Sequence, residues 1–180
     1  MSYFEKRKKK KTLYFAMLIV ILVFSRLIPH PPNFTPIISV AIMCGIIFET
    51  LLISLIVLIG SMLISDLIIG LHSGMIHIYI CLIFISYLFF KFSTKINYKN
   101  LIFFSFLGSI IFFLYSNFIV WLNSGLYSQD LKGILECYTL AIPFFSNTLI
   151  STIFYSYLTF IVINYIKKDF NLVISKQSKL

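Results

Sequence analysis

Charged residues are scarce in this 180-residue chain, and acidic residues are the scarcest of them. Charged side chains make up 12% of the sequence, with only six Asp and Glu, whereas hydrophobic residues reach 59% and the mean hydropathy is +0.97. A soluble domain has no way to bury that much apolar surface. The composition therefore excludes a soluble protein and predicts an integral membrane protein, folded as one compact bundle at this length.

Cysteine is rare as well, and recognisable catalytic motifs are absent. Cys44, Cys81 and Cys137 lie far apart, with neither zinc spacing nor a disulfide framework. The sequence has no Gly-x-Ser-x-Gly, His-Glu-x-x-His or phosphate-loop motif. We therefore predict no catalytic residues, no bound metal and no cofactor. An intramembrane enzyme, with Asp66 and the histidines as acid and base, is the least favoured alternative.

The basic residues behind the net charge of +9 fall mainly into three groups. They lie within Lys6–Lys11, Lys91–Lys99 and Lys167–Lys179. Basic residues at the ends of apolar segments mark the cytoplasmic side of membrane helices, so this pattern predicts topology rather than nucleic-acid binding. We expect a basic cytoplasmic tail at 1–12, a transmembrane domain at 13–166 and a second basic cytoplasmic tail at 167–180.

Long apolar runs predict the membrane spans. They cover about Leu13–Ile28, Pro36–Phe48, a stretch from Thr50 to Ile69, Met75–Phe90, Leu101–Trp121 and Thr148–Ile166.

The second and third runs are nearly continuous, which leaves two interpretations. One uninterrupted helix over Ile37–Ile69 would be about 50 Å long, against a hydrocarbon core of about 30 Å. The alternative is a hairpin that turns at Glu49-Thr50. Only the hairpin returns Lys91–Lys99 and the C-terminal tail to the side of the basic N-terminus, so we predict six spans with both termini cytoplasmic.

A shorter helix is predicted before the last span. Asp130 is placed to cap it, and apolar residues of Leu131–Ile142 recur at helical spacing on one face. Pro143 is expected to end it. The fold class is therefore all-α: a polytopic membrane protein with six transmembrane helices in one bundle and a short amphipathic helix at the outer surface.

This topology brings the polar residues of the spans to one level, beneath the outer membrane surface. Charged residues inside spans usually face a partner or a wet cavity, and Arg26 and Asp66 are natural partners. Whether they bind a ligand or only lock two helices together stays open. Nine residues form the predicted ligand-binding set: Arg26, His30, Asn33, Asp66, His72, His77, Asn117, Trp121 and Asn147.

Four segments carry a resemblance to known proteins. "RLIPHPPNFTPI", "SDLIIGLHSGM", "NFIVWL" followed by "GLY", and "CYTLAIPFFSNTL" resemble, in this order, an uncharacterised bacterial membrane-protein family known only as a domain of unknown function. The resemblance covers about Arg26–Tyr157. Ser146 stands where that family often has a basic residue, and Ser151-Thr152 where it has Gly-Asp, which implies a reduced charge network in the last span.

That family in turn looks like the substrate-binding S components of energy-coupling-factor (ECF) vitamin transporters. The resemblance implies a six-helix protein of the bacterial cytoplasmic membrane, with a small solute bound near the outer face under Pro29–Pro36. S components dock on their coupling protein through small residues spaced by four in the first span. Here that span offers Ala16 alone.

The favoured hypothesis is therefore a protein for binding and uptake of a small, vitamin-like solute, with no role in catalysis. Its expected partners are membrane lipid, the solute, and either an ECF-type coupling protein with ATPases or a second copy of the chain, but not nucleic acid. The alternative from a different class is a structural or scaffold subunit whose outer polar cluster locks the helices.

Overall fold

The fold is entirely helical over the part of the chain that the structure describes. The computed structural model describes residues 3–48 and 50–177, with side chains for 14–48 and 50–165. Beside a 3₁₀ turn at Ser93–Lys95, this part contains α1 (Tyr3–Leu27), α2 (Ile37–Ile47), α3 (Leu51–Ile69), α4 (Met75–Phe92), α5 (Leu101–Asn123), α6 (Leu131–Leu140) and α7 (Ile142–Gln177). Glu49 of the predicted turn and the side chains of both basic tails lie outside the described residues.

Four helical segments are long and apolar enough to cross a membrane. They are Leu51–Ile69, Met75–Lys95, Leu101–Asn123 and Ile142–Tyr165, and two shorter apolar segments cover Tyr14–Leu27 and Ile37–Ile47. Long runs of Ile, Leu and Phe make these segments apolar. In lipid, an α-helix is suited to such a segment because it satisfies the backbone hydrogen bonds internally. The predicted boundaries at Ile69, Met75 and Leu101 agree with the structure, and α3 begins at Leu51, directly after the predicted turn at Glu49-Thr50.

The helices α2 and α3 form a hairpin, as predicted. The first residues of α2, Ile37 and Ile38, lie around the same cavity as Ile69, the last residue of α3. The two helices therefore run in opposite directions. The Thr50 hydroxyl caps the start of α3 by accepting a hydrogen bond from the Ile53 amide at 3.3 Å. A single helix through this region is excluded.

The short helix α2 is the axis of the bundle. It packs against α3, α4, α5 and α7, and its residues Ile37–Cys44 are all buried. The contact with α5 is close because Gly108 has no side chain. A Cβ atom at that position would lie 2.5 Å from the Ile42 Cδ1 atom. A helix that is apolar on every side is typical of such a central position.

The boundary between α6 and α7 differs from the prediction. Asp130 caps α6 as expected, its carboxylate accepting from the Gly133 amide at 2.8 Å. However, α6 ends at Leu140, and Ile142 already belongs to α7. Pro143 therefore lies in the first turn of α7, where its missing N–H costs nothing, instead of terminating α6.

Candidate functional site

A cavity of about 280 Å³ opens where α1 ends and α2 begins. We call this end of the bundle the cavity end. Polar side chains contribute one part of its wall, and seven apolar side chains, among them Met62, Ile78 and Phe112, form the rest. The polar group consists of Arg26, His30, Asn33 and Thr35. Mainly apolar walls with a few convergent polar groups are the usual composition of small-molecule sites.

The roof of the cavity is the segment Pro29–Pro36, which we call the proline segment. It is folded on itself, with the Phe34 amide donating to the Pro31 carbonyl at 3.0 Å and Asn33 in the left-handed region at φ 64°. Proline excludes a regular helix here. Asparagine is one of the few residues other than glycine that adopts this φ readily. The chain between α1 and α2 thus forms a compact cover.

The proline segment is fastened to α7. The Asn147 side-chain amide donates to the Pro32 carbonyl at 3.1 Å, and the Ser151 hydroxyl donates to the Asn33 carbonyl at 3.4 Å. The ring of Phe34 packs edge-on against Tyr155, with 6.0 Å between the centroids. The Pro32 and Asn33 carbonyls accept these two hydrogen bonds because the proline segment forms no helix that would supply their backbone partners. The contacts thereby fasten the roof to α7.

Arg26 and Asp66 form the expected ion pair beside the cavity. The Arg26 Nη2 atom lies 2.6 Å from Asp66 Oδ1, and Tyr79 donates its hydroxyl to Asp66 Oδ2 at 2.5 Å. The Arg26 side chain keeps 16% of its surface exposed, whereas the Asp66 side chain keeps only 1%. A carboxylate buried this deeply needs both partners, because an unpaired buried charge is strongly destabilising.

Three helices position this ion pair. Arg26 is in the last turn of α1 and Asp66 near the end of α3, so both reach the cavity end, and Tyr79 comes from the second turn of α4. Arg26 Nη1 also donates to the Met62 carbonyl at 3.1 Å and to the Ser65 hydroxyl. The guanidinium is thereby clamped along the last turns of α3.

Among the predicted site residues, Arg26, His30 and Asn33 line the cavity, and Asp66 lies directly behind Arg26. Asn147 acts on the roof instead of the wall. His72 is exposed in the turn between α3 and α4, His77 is half-buried in the first turn of α4, and neither belongs to the lining.

Asn117 and Trp121 belong to a different part of the molecule. Asn117 donates its side-chain amide to the Phe113 carbonyl of its own helix at 2.8 Å. The Trp121 indole N–H donates to the Ser128 carbonyl at 3.0 Å, and Gln129 donates back to the Trp121 carbonyl at 2.8 Å. Both residues therefore organise the end of α5 and the connection to α6, away from the cavity lining.

No metal centre is evident in the part of the chain that the structure describes. No three His, Cys, Asp or Glu residues there are close enough together to hold an ion. Cys44, Cys81 and Cys137 are free thiols, each buried.

Comparison with known proteins gives a family but no described activity. The sequence profile of DUF6580, a family of unknown function, matches residues 6–176. The chain belongs to this family. The match includes the proline segment, the ion pair and every residue that lines the cavity. Neither the curated proteins nor the solved structures contain a significant match to the chain.

Two residues of the candidate site escaped prediction from sequence. Tyr79 donates a hydrogen bond to the second carboxylate oxygen of Asp66, and Thr35 lines the cavity together with Asn33. Tyr79 is one of 11 tyrosines and lies within an apolar run, so composition gives no reason to choose it. Thr35 does carry a signal, since it is a polar residue inside the proline segment, two residues after Asn33, which was predicted.

Proposed function

We propose that this member of the DUF6580 family binds a small solute in the cavity under the proline segment and takes part in its uptake across a membrane. The observation that carries the proposal is the cavity itself. It joins a polar group at one wall to apolar walls contributed by the four helices α2, α3, α4 and α5, under a cover of irregular backbone. In a membrane, irregular backbone is tolerated where it is buried in protein or lines a cavity.

The proposed topology has six spans, with the cavity at the outer surface. The antiparallel α2–α3 hairpin supports this count, because it makes α2 a separate span beside α3. Together with the other short apolar segment, Tyr14–Leu27, and the four long ones, the total is six. Helix α2 is only about 16 Å long at about 1.5 Å per residue. This is shorter than the hydrocarbon core of about 30 Å. We propose that the folded proline segment fills the remaining depth between α2 and the outer surface. Both termini would then face the cytoplasm of a bacterium, in agreement with the basic residues near both termini.

Uptake requires the cover to move. Two hydrogen bonds and one ring contact hold the proline segment to α7, a small number for a segment that closes a site. Opening would expose the cavity to the outer side. Delivery to the cytoplasm would follow by docking on an ECF-type coupling protein with its ATPases, or by movement within a pair of identical chains.

The binding proposal is tested by native mass spectrometry of the full chain purified in a mild detergent. We expect a small molecule to accompany the wild type and to be lost in Ile78→Trp, which fills the cavity from α4. Ile80→Trp is the matched control, because Ile80 lies two residues further along the same helix and is 49% exposed. The absence of any bound molecule from the wild type, or equal retention by both variants, would contradict the proposal.

A structural role is the second candidate function, and one observation favours it. Asp66 is almost completely buried and both of its oxygens are engaged, by Arg26 and Tyr79. The contacts link α1, α3 and α4, so the same residues hold three helices in register. Affinity purification separates the two functions. Co-purified ATPases and a membrane coupling protein would support uptake, whereas cell-envelope proteins would support a scaffold.

A further inference from the structure

The Arg26 guanidinium has hydrogen-bonding capacity that the protein leaves unused. Arginine carries five N–H donors. Its contacts with the described residues are two hydrogen bonds from Nη1, to the Met62 carbonyl and the Ser65 hydroxyl, and the ion pair of Nη2 with Asp66. The Nε N–H makes no hydrogen bond in that part of the chain, and we call the side of the guanidinium that carries it the free edge. Arg26 is one of the residues that line the cavity, and 16% of its side chain is exposed.

The charge of Arg26 is already balanced. Asp66 lies 2.6 Å from the guanidinium, so the pair has no net charge. A ligand carboxylate on the free edge of Arg26 would bring a second anion to a single cation, close to the first. Two carboxylates that share a site repel each other, and one of them is forced to take up a proton. The site therefore disfavours an anionic ligand, even though arginine alone would favour one.

Two other polar side chains of the lining also make no hydrogen bonds within the described part of the chain. The side-chain amide of Asn33 and the hydroxyl of Thr35 make no hydrogen bonds with the described residues, and both line the cavity. Each of them can both donate and accept hydrogen bonds. A ligand that fills this site thus meets mainly donors at Arg26 and both kinds of group at Asn33 and Thr35.

The size and the remaining walls limit the rest of the ligand. A volume of about 280 Å³ lies near the lower end of the range for small-molecule sites, about 300–1,000 Å³. Apolar side chains, among them Met62, Leu82 and Phe112, contribute most of the wall. Only a compact apolar body with one small polar head matches both conditions.

Resting on the proposed function, we infer that the ligand is a small uncharged molecule with a carbonyl acceptor, of the amide or lactam type, on an apolar body. Its carbonyl oxygen would accept from the free edge of Arg26. Its N–H would donate to Asn33 or Thr35. Asp66 would tune Arg26 from a binder of anions into a binder of neutral acceptors, without touching the ligand.

Matched pairs of small molecules that differ only in charge test this inference. The probes are benzamide and benzoate, phenylacetamide and phenylacetate, and indole-3-acetamide and indole-3-acetate. Binding to the purified full chain is measured by thermal shift and by titration at neutral pH. We expect the amide to bind at least about tenfold more tightly than its acid in each pair that binds, because only the acid adds an uncompensated charge.

The variant Asp66→Asn gives the opposite expectation. It removes the balancing charge and keeps the shape of the side chain, so the acid should now bind more tightly than the amide. Tyr79→Phe is the matched control, because it deletes the neighbouring hydroxyl and leaves the charge of Asp66 in place. It should keep the preference for amides.

Each outcome decides the inference. Acids that bind the wild type as tightly as amides, or more tightly, would overturn it, while the proposed function would stand. If no probe binds, the charge of the co-purified molecule decides: a neutral molecule supports the inference and an anion overturns it. If no probe binds and no molecule co-purifies, both the inference and the proposed function are wrong.

Discussion

Replacing Arg26 by methionine removes one charge of a buried pair and keeps the apolar length of the side chain. Asp66 would retain the hydrogen bond from Tyr79 but lose its counter-ion, with only 1% of its side chain exposed to anything that solvates a charge. Breaking a buried ion pair from one side costs about 3–5 kcal/mol. We therefore expect Arg26→Met to lower the free energy of unfolding by about this amount.

The opposite substitution should cost less. Asp66→Asn keeps the shape of the side chain and one acceptor oxygen. Arg26 would keep its bonds to the Met62 carbonyl and the Ser65 hydroxyl, and its 16% exposure gives it access to the cavity. The loss is then closer to that of a hydrogen bond to a charged group, about 1.5–3 kcal/mol. This asymmetry follows directly from the unequal burial of the two side chains.

The double variant Arg26→Met/Asp66→Leu completes the cycle. With both charges gone no buried ion is left unpaired, so the double variant should lose less stability than the sum of the single variants. Unfolding of the purified chains is followed by circular dichroism during titration with sodium dodecyl sulfate. Lys132→Met serves as control, because Lys132 is exposed on α6 and its removal should change stability by no more than about 0.5 kcal/mol. A loss under 1 kcal/mol for Arg26→Met, or additive single effects, would refute this reasoning.

Three further predictions concern the packing, the roof and the α6 cap. Gly108→Ala should destabilise the bundle by about 1–3 kcal/mol, because the new Cβ crowds Ile42. Gly60→Ala, with nothing within 4 Å of the new Cβ, should stabilise it by about 0.5–1 kcal/mol. Equal effects of the two substitutions in thermal unfolding would contradict the described packing at Gly108. Asn147→Ala removes a hydrogen bond worth about 1 kcal/mol that holds the proline segment. The hydrogen-bonded backbone amides of the proline segment should then exchange about fivefold faster, while the global stability stays unchanged. Unchanged amide exchange would contradict the role of Asn147 in holding the proline segment. Hydrogen bonds from the Gly133 amide and Ser128 lower the pKa of Asp130. Its stabilisation is therefore complete above the ordinary pKa of 3.8 and lost as the pH falls through the lower folded value, so Asp130→Ala should lower thermal stability at neutral pH and match the wild type in strong acid.

Sequence reasoning located the helices well because their signals are one-dimensional. The starts of α3, α4 and α5 follow from where apolar runs resume after Thr50, Gly74 and Asn100. The α2–α3 hairpin followed from the distribution of lysines, which adds information that hydropathy alone lacks. The α6–α7 boundary was missed because proline both ends helices and opens them, and the sequence does not show which of the two applies at Pro143.

For the candidate site, the sequence predicted how far along each helix the residues lie, but not the direction in which their side chains point. Topology places residues at the same level when they lie the same number of turns from a helix end, which explains why Arg26 and Asp66 meet. Which way a side chain points around its helix depends on packing angles that the sequence does not specify. His77 therefore directly precedes Ile78, a lining residue, without lining the cavity itself. Tyr79 is absent from the prediction for the same reason.

Stability alone does not account well for the Arg26–Asp66 pair. A buried ion pair is often no more stabilising than apolar side chains of similar volume, and α1 and α3 are rich in such residues. What the pair adds is a guanidinium that is held in place by the Met62 carbonyl, the Ser65 hydroxyl and Asp66, carries no net charge together with Asp66, and leaves its Nε N–H without a hydrogen bond at a residue that lines the cavity. A helix lock needs the first two of these properties, because an unpaired buried charge is destabilising. The third property is the one that the proposed binding role would use, and the two roles do not exclude each other.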